Sequence, residues 1–360
     1  MVDAAGRRRD ARQAGAAMKS RDAGPTLKDV AALAGVHPTT ASRALDPAKS
    51  HLVSEETRQR ILQISAELGY QVNAMARSLR TGSSGLIGMV VADVSNPFLP
   101  PILRAIEHVI RHEGLMLLIA ETHDDSRTMQ EILGHFARRR VDAIILSAAH
   151  QGDLEVVRAA AASTPVVLAV RSVDGGKFPT VTHDDRLGGR LATQHLVELG
   201  HQDVAQLRGP EDVSSFSGRS AGFYSVLAET TAREVGSGLV AASPTVEEGR
   251  RLTAELLAAP GDRPTAIFAH NDQMAVGAMD ALREAGLSCP RDISIVGYND
   301  APLADHIDPP LTTIRLPAAE LGRRVARLAL EQLSEEPVDT STVRLPPELV
   351  VRRSTAPLTA

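Results

Sequence analysis

The sequence predicts two fold classes in one chain: an all-α helix-turn-helix head and a larger α/β domain. Residues 26–46 have the layout of two short helices joined by a tight turn, which places a recognition helix in the DNA major groove. From Gly85 onward, short apolar runs alternate with helical patterns, which is typical of parallel sheets covered by helices. At 360 residues with 43% apolar content, the chain is long enough for two or three domains.

The first two predicted helices have recognisable start and stop residues. Thr26 is a favourable N-cap, Gly35 suits a left-handed helix end, and Pro38 fits the first position of a second helix capped by His37. We expect the inward-facing residues to be Val30, Ala31, Leu33, Ala34, Ala41, Ala44 and Leu45. We expect Thr39, Thr40, Ser42 and Arg43 to face outward, where they can bond to bases or phosphates. On this segment alone, a surface helix hairpin that does not contact DNA is the alternative.

A third helix and a short fourth one follow. Ser54 caps the third helix and Gly69 ends it. The fourth, residues 73–80, is shorter than the roughly 12 residues an isolated helix needs, so we expect it to order only when docked. Arg77 and Arg80 can meet phosphates there, and Leu79 can wedge between bases in the minor groove. A plain interdomain linker is the alternative.

Charge and composition indicate which partner the head binds and in which compartment the protein is found. Residues 1–85 contain 13 Lys or Arg and 8 Asp or Glu, whereas the remainder contains 26 and 36. A positive front end on an acidic body favours nucleic acid as the partner of the head. Residues 1–25 are predicted to form a disordered basic extension, or to precede a true start at Met18. The single cysteine, the missing apolar signal region and the absence of a roughly 18-residue apolar run predict a cytoplasmic protein.

The α/β region divides into an ordered series of elements. Predicted strands are 86–91, 115–120, 143–146, 166–170, 204–207, 266–269 and 293–297. Predicted helices are 98–113, 127–139, 186–199, 217–227, 247–257, 273–285 and 318–333. Neither a G-x-G-x-x-G segment after the first strand nor a P-loop occurs, so we expect no nucleotide cofactor.

Eight segments, in this order, resemble the LacI/GalR family of bacterial transcriptional regulators. They are TLKDVAALAGVHPTTASRAL, VSEETRQRI, LGYQVNAMARSLRTG, IGMVVADVSNPF, ELGHQDV, HNDQMAVGAM, DISIVGYND and PPLTTIR, and the match runs from about Thr26 to Arg353. The resemblance implies a homodimer that binds a palindromic operator. It also implies a minor-groove hinge helix and a periplasmic-binding-protein-like (type I) core of two Rossmann-like sub-domains, in which an effector tunes operator affinity.

The resemblance also sets expected domain limits. The basic extension covers residues 1–25, the helix-turn-helix domain 26–71, and the hinge helix and linker 72–84. The effector and dimerisation domain covers 85–353, and a short tail covers 354–360. We expect crossovers between the two sub-domains near His183 and Thr313, with a return to the first around residues 315–339. The tail lacks the leucine heptads that would join dimers into tetramers.

The family reads the major groove with residues that correspond here to Pro38, Thr39 and Arg43. Because Pro38 has no side-chain donor, direct reading is expected from Thr39, Thr40 and Arg43, and Arg43 can pair bidentately with guanine. The full predicted DNA-binding set is Thr26, Leu27, His37, Thr39, Thr40, Ser42, Arg43, Asn73, Arg77, Leu79 and Arg80.

The expected effector site lies where strands end at a cleft between the sub-domains. The predicted effector-binding residues are Asp93, Ser95, Asn96, Phe98, Ser147, Arg171, Arg219, Asn271 and Asn299. Asn271 has a helix-capping role as its alternative, and Asp272 is expected to be structural. The family often has an aspartate where Val170-Arg171 stands here. The predicted effector is a sugar, a sugar acid or another small polar metabolite. Among these, Arg171 and Arg219 together favour an anion.

The predicted function is a ligand-responsive, sequence-specific regulator of transcription, most simply a repressor. An exported binding protein fits the core but leaves the head unexplained. An enzyme would need the His183-Asp184-Asp185 or Asp305-His306-Ile307-Asp308 segment to act as a metal or acid–base cluster, although short clusters of this kind more often cap helices. A chromosome-architecture protein without an effector is the third alternative.

Overall fold

The computed structural model describes residues 24–46, 49–70, 83–334 and 340–358. The chain divides into two compact units, residues 1–82 and 83–360. The predicted hinge residues Asn73, Arg77, Leu79 and Arg80 lie outside the described residues. Within the described ranges, every helix falls short of the length and hydropathy needed to cross a bilayer.

The described residues of the head form three helices, α1 (Leu27–Leu33), α2 (Pro38–Ala44) and α3 (Glu55–Leu68), with a 3₁₀ turn at Ser50–Leu52. Thr26 and Asp29 form a reciprocal capping box at the start of α1. His37 caps α2, Ser54 caps α3, and Gly69 ends α3 in the left-handed region. These local choices confirm the predicted helix starts.

The head has a small core of short side chains. Its buried members are Val30, Ala31, Ala34, Ala41, Ala44 and Ile61. The prediction for Leu33 was wrong, because its side chain is 64% exposed. At about 100° per residue, Leu33 lies roughly 100° from the centre of the face formed by residues 30, 31 and 34. The α1–α2 contact therefore leaves Leu33 facing solvent.

The larger unit contains two six-stranded sheets, one in each lobe. The strands are β1 Leu86–Val91, β2 Met116–Glu121, β3 Ala143–Leu146, β4 Val166–Ala169, β5 Thr180–His183, β6 Asp203–Leu207, β7 Arg233–Glu234, β8 Ala266–Ala269, β9 Ser294–Asn299, β10 Thr312–Arg315, β11 Thr342–Leu345 and β12 Glu348–Val350. The strand order in the sheet of the first lobe is β11-β5-β4-β3-β1-β2, and in that of the second lobe it is β12-β10-β9-β8-β6-β7. All neighbouring strands are parallel except β10 and β12, which are antiparallel.

Helices cover the sheets of both lobes. They are α4 Leu99–His112, α5 Ser126–Arg139, α6 Leu154–Ala161, α7 Asp185–Glu198, α8 Ser214–Leu227, α9 Val246–Ala258, α10 Asp272–Glu284 and α11 Ala318–Glu331. The pairs α7–α8 and α9–α10 pack closely because glycines face the neighbouring backbone. A Cβ on Gly222 would overlap the carbonyl oxygen of Arg186, and one on Gly277 would overlap that of Val246.

The chain crosses between the lobes three times. The first two crossings, between β5 and α7 and between β10 and α11, agree with the crossovers expected near His183 and Thr313. The third, between β11 and β12, was not predicted. β5, β10 and β11 read TVTH, TTIR and TVRL, so they lack the continuous apolar runs that reveal buried strands in a sequence.

Residues 354–358, which the sequence assigned to a short tail, pack against the second lobe. Ser354 is fully buried, and its hydroxyl accepts from Thr312 N (2.8 Å) and donates to the carbonyl oxygen of Ile295 (2.6 Å). Leu358 N donates to the carbonyl oxygen of Leu199 at 2.8 Å. Residues 354–358 thus act as part of the lobe, because they satisfy polar groups that burial would otherwise leave unpaired.

Candidate effector cleft and DNA-binding head

A cleft lies between the lobes at the carboxyl ends of their strands, where open α/β sheets bind small molecules. Eight of the nine predicted effector residues line it: Asp93, Asn96, Phe98, Ser147, Arg171, Arg219, Asn271 and Asn299. The ninth, Ser95, does not, because its N–H (2.7 Å) and hydroxyl (2.6 Å) both donate to Asp93 Oδ1.

The loop after β1 forms the first wall of the cleft. Asn96 Oδ1 accepts from Phe98 N at 3.0 Å, which fixes the turn that leads into α4. The Phe98 ring is 8% exposed and packs edge-on against the ring of His183 with centroids 5.7 Å apart. Burial lowers the pKa of His183 to about 3, with a further contribution from Arg219, so this ring is neutral. The wall therefore combines amide and carboxylate groups with one apolar ring.

Arg171 reaches the cleft from the loop after β4, but its charge is already paired. Its Nη1 donates to Asp124 Oδ1 at 2.5 Å and makes a longer bond to the carbonyl oxygen of Ala148 at 3.4 Å. Its side chain is 10% exposed. The nearby Ser147 hydroxyl donates to the carbonyl oxygen of Val90 at 3.0 Å, within the first lobe. Arg171 thus presents a compensated guanidinium to the cleft.

Arg219 sits in a buried socket on α8. Its Nε donates to Asp185 Oδ1 at 3.0 Å, and its Nη1 donates to the carbonyl oxygen of His270. Its Cζ lies 3.8 Å from the ring centroid of Tyr298 and 5.0 Å from that of Phe216. Because no hydrogen bond of Nη2 appears among the described residues and Arg219 lines the cleft, those donors remain for a ligand.

A layer of neutral polar groups supports this socket. His270 is fully buried, and its Nδ1 accepts from Gly209 N at 3.3 Å. The proton is therefore assigned to Nε2, which lies 3.2 Å from Gln206 Oε1. Burial lowers the pKa of His270 well below its usual value, and the charges of Arg219 and Arg208 act in the same direction. A neutral His270 leaves the positive charge of the socket on Arg219.

The second lobe also contributes two asparagines. Asn271 caps α10: its Oδ1 accepts from Met274 N at 2.7 Å, while its Nδ2 donates to the carbonyl oxygen of Pro244 at 2.7 Å. The capping alternative therefore holds for Asn271, although it also lines the cleft. Asn299 has a positive φ of 112°, and its buried Oδ1 has no hydrogen-bond partner among the described residues. A buried orphan acceptor at a ligand cleft is the feature that a bound donor would satisfy.

Asp272 has the structural role that the sequence predicted. Its Oδ1 accepts from the Thr313 hydroxyl and its Oδ2 from Ala301 N, both at 2.6 Å. Burial raises the pKa of this carboxyl to about 7. The side chain joins the start of α10 to β10 and to the loop after β9.

Sequence reasoning missed other lining residues, including Ser215, Phe216 and Pro244. Phe216 precedes Arg219 by three positions on α8, so both side chains share a helix face. Its ring stacks on that of His270 at 6.1 Å. This i, i+3 spacing was the available signal, and together with Phe98 it gives the cleft two aromatic rings.

The segments considered for an enzyme are structural in this fold. Asp184 caps α7 by accepting from Leu187 N at 2.9 Å, and Asp185 pairs with Arg219. Among the described side-chain hydrogen bonds, the His306 ring contacts only the adjacent Asp305, at 2.5 Å. Within the part of the chain that the structure describes, no group of three or more His, Cys, Asp or Glu side chains could hold a metal ion.

The recognition helix α2 presents the predicted reading residues at its exposed side. His37, Thr39 and Arg43 are exposed, and Thr40 and Ser42 are half-buried. The His37 Nδ1 and Thr39 Oγ1 atoms lie 2.6 Å apart, which fixes both side chains at the start of the helix. Thr26 is exposed and Leu27 half-buried at the start of α1.

Residues 26–70 of the head are formally neutral. Residues 26–70 contain five Lys or Arg and five Asp or Glu. The positive charge of the front end therefore comes from residues 1–25 and 71–82, most of which lie outside the described residues. The net positive charge that would attract phosphates therefore lies in these flanks, whereas α2 supplies hydrogen-bonding groups, including the Arg43 guanidinium.

Comparisons with known proteins cover both units. Residues 26–73 match the model for bacterial regulatory proteins of the lacI family, and residues 193–355 match a periplasmic binding protein-like domain. The ribose operon repressor of Halalkalibacterium halodurans is 36% identical over 332 residues, or 92% of this chain and 97% of that protein. A solved lac repressor dimer bound to operator and the anti-inducer ONPF has a TM-score of 0.80 at 30% identity, covering 93% of this chain and 100% of that one. A LacI family regulator from Enterococcus faecium with bound ribose has a TM-score of 0.66 at 32% identity, covering 76% and 100%.

Proposed function

Because the chain belongs to the lacI family of bacterial regulatory proteins, we propose that it represses transcription from an operator whose affinity is set by a neutral sugar in the inter-lobe cleft. The chain is a transcriptional regulator and not an enzyme, as its family is one of regulators. We infer that it acts as a homodimer on palindromic DNA, in the cytoplasm and at the nucleoid.

The observation that carries the sugar assignment is the orphan acceptor of Asn299 opposite a set of polar and aromatic groups. Asn299 Oδ1 is buried and needs a donor, while Arg219 Nη2 supplies donors and Asp93 supplies an acceptor. Phe98 and Phe216 add apolar ring surface to the lining, which the C–H groups of a sugar could contact. Alternating hydroxyls on a small ring match this mixture of donors, acceptors and apolar surface.

Charge pairing argues for a neutral effector and removes the reason to expect an anion. The anion prediction depended on Arg171 and Arg219 as uncompensated cations. Arg171 is paired with Asp124 at 2.5 Å, and Arg219 is paired with Asp185 at 3.0 Å. Asp93 adds a further carboxylate to the lining. A carboxylate ligand would meet this negative charge without meeting an unpaired cation, so we expect the sugar to bind better than its acid.

Operator reading is assigned to α2 and to the hinge segment. Arg43 would pair with a guanine and would provide about 1–3 kcal/mol of discrimination against other bases. Thr39 and Thr40 would contact neighbouring base edges or phosphates, and His37 holds Thr39 in place. Arg77, Leu79 and Arg80 are proposed as minor-groove contacts on the basis of the sequence alone.

Regulation follows as linkage between the two ligands. An effector that binds one lobe arrangement better than the other shifts the core toward it. Because the heads are joined to the core through residues 71–82, the spacing of two heads on an operator depends on that arrangement. The effector thereby changes operator affinity, and by reciprocity the operator changes effector affinity by the same factor.

The test is a ligand screen followed by a DNA assay. The full chain is screened by thermal shift and calorimetry against pentoses, hexoses, the matching aldonic acids and nucleosides. We expect a neutral sugar to bind at least roughly tenfold more tightly than its acid, a difference of about 1.4 kcal/mol. Tighter binding of the acid or of a nucleoside would refute the assignment, as would a sugar that binds without changing operator affinity.

A further inference from the structure

Four charged side chains form a continuous series from the cleft across to the second lobe. In order they are Arg171, Asp124, His150 and Asp212, and their charges alternate when His150 is protonated. The first three belong to loops of the first lobe, after β4, β2 and β3, whereas Asp212 belongs to the second-lobe loop between β6 and α8. One end of the series lines the cleft, and the other end joins the lobes.

His150 is the member that spans the boundary. Its Nδ1 lies 2.7 Å from Asp212 Oδ2, and its Nε2 lies 3.1 Å from Asp124 Oδ1. With an acceptor on each ring nitrogen, only the protonated ring satisfies both contacts. The ring is 16% exposed, Asp124 26% and Asp212 62%, so the bridge is sheltered on the first-lobe side only.

Two uncharged contacts accompany the bridge along the same edge. Gln151 N donates to the carbonyl oxygen of Asp212 at 2.8 Å, and Ser172 N donates to the Ser214 hydroxyl at 2.8 Å. Gln151 follows His150 and Ser172 follows Arg171, so both sit beside the charged series. The edge therefore has a small lobe–lobe interface in which His150 provides the ionic contact.

The charged surroundings keep His150 protonated. The hydrogen bond to Asp124 contributes most; it and Asp212 outweigh burial and raise the pKa of His150 to about 9. Asp153 also faces this loop, since its Oδ2 accepts from His150 N at 2.7 Å. Burial alone would raise the pKa of Asp124, but His150 and Arg171 hold it below its usual value. Among the described residues, Arg171 is the further cation that contacts the series, and its Nη1 donates to Asp124.

We propose that His150 is an inter-lobe latch, which as a cation joins Asp124 of the first lobe to Asp212 of the second and favours the lobe contact before any effector binds. Its regulatory meaning rests on the proposed function, but the latch itself requires neither DNA nor effector. Arg171 connects the latch to the cleft, because a ligand group that bonds Arg171 changes its hold on Asp124. The latch thereby sets the fraction of the protein in the lobe arrangement that binds the ligand, and so sets the apparent affinity for that ligand.

The latch is tested on the full chain by measuring the distance between the lobes. Spin labels are attached at Ala159→Cys on α6 and Ala221→Cys on α8, two exposed alanines on opposite lobes. Labelled protein is diluted with unlabelled protein, and pulsed electron–electron resonance gives the distance distribution without ligand. The variants are Asp212→Asn and His150→Gln. The matched control is His306→Gln, which removes an exposed histidine paired with Asp305 inside one lobe.

Both latch variants should lower the share of the lobe-contact distance by roughly two- to fivefold, the range that half-exposed ion pairs support. His306→Gln should superimpose on the unsubstituted protein. If His150→Gln fails to fold, Asp212→Asn decides the matter, because its side chain is largely exposed. Unchanged distributions in Asp212→Asn would overturn the latch. That result would not contradict the proposed function, which does not depend on the latch. A shifted distribution, measured without effector or operator, would support the latch but would say nothing about the proposed function.

Discussion

The socket of Arg219 gives the sharpest quantitative prediction of this structure. Replacing Arg219 with Met keeps much of the side-chain volume but removes the partner of Asp185, which lies 3.0 Å from the arginine Nε. It also removes the cation from between the Tyr298 and Phe216 rings. We therefore expect Arg219→Met to destabilise the core and to abolish effector binding together.

The magnitude follows from burial. The Arg219 and Asp185 side chains are 5% and 8% exposed. Breaking a buried pair of this kind costs about 3–5 kcal/mol, because the remaining charge stays buried without compensation. At about 2–4 °C per kcal/mol for a domain of this size, the melting temperature should fall by about 6–20 °C. Asp185→Asn added to Arg219→Met should recover part of the loss, since it removes the stranded carboxylate.

The assay is urea and thermal unfolding followed by circular dichroism. The matched control is Arg190→Met, which breaks an exposed two-bond pair with Glu229 at 2.6 Å and 2.9 Å. This pair joins α7 to the residue that lies two positions beyond the end of α8, yet breaking it should leave the unfolding midpoint almost unchanged. If Arg219→Met were as mild as Arg190→Met, or if the double variant recovered nothing, the account of the socket would be refuted.

Three further predictions concern the head, the hinge and the latch. Arg43→Ala should reduce the base preference at one position in each half-site by about 1–3 kcal/mol, measured as binding to a series of operator variants. If the unsubstituted protein and Arg43→Ala showed the same preferences across the series, the prediction would be wrong. Leu79→Ala should weaken operator binding more than binding to random duplex, because a wedge stabilises kinked DNA; equal losses on both DNAs would reject the wedge. The raised pKa of His150 gives a stabilising contribution that is complete below pH 6.5 and is lost as pH rises through about 9. The stability difference between unsubstituted protein and His150→Gln should therefore shrink between pH 7 and pH 10 in urea titrations, and a constant or growing difference would contradict this.

The sequence predicted local features of the fold well. Thr26, His37 and Ser54 begin helices as expected, because caps depend on residues one to three positions away. Strands with continuous apolar runs were also placed to within a residue or two at most ends. Such features depend only on residues that are close together in the sequence, so a single sequence is enough to predict them.

Features that depend on distant residues could not be predicted. The buried strand β10 contains Thr312 and Thr313, whose hydroxyls are satisfied by Thr355 and Asp272, and its polar sequence concealed it. The role of the chain end was hidden for the same reason, because Ser354 bonds to residues some 40 to 60 positions earlier.

For the candidate site too, the sequence indicated which residues lie there but not which residues they bond to. Its residues were found because side chains that follow parallel strands converge on one edge of the sheets. Their partners were not found: Arg171 bonds to Asp124, 47 positions earlier, and Arg219 bonds to Asp185, 34 positions earlier. These two ion pairs are the reason that we propose a neutral ligand and not an anion. Ser95 lies outside the cleft lining for a local reason, since its hydroxyl donates to Asp93, two positions before it.

The central claim is that one small molecule in the cleft controls how well this chain recognises a particular DNA sequence. The most direct measurement is selection of genomic fragments by the purified full chain at moderate salt, repeated with and without the sugar found in the screen. We predict that a few fragments with a shared palindrome are strongly enriched and that the sugar changes their enrichment by roughly tenfold or more. Recovery of fragments in proportion to their abundance, with the sugar making no difference, would contradict the account.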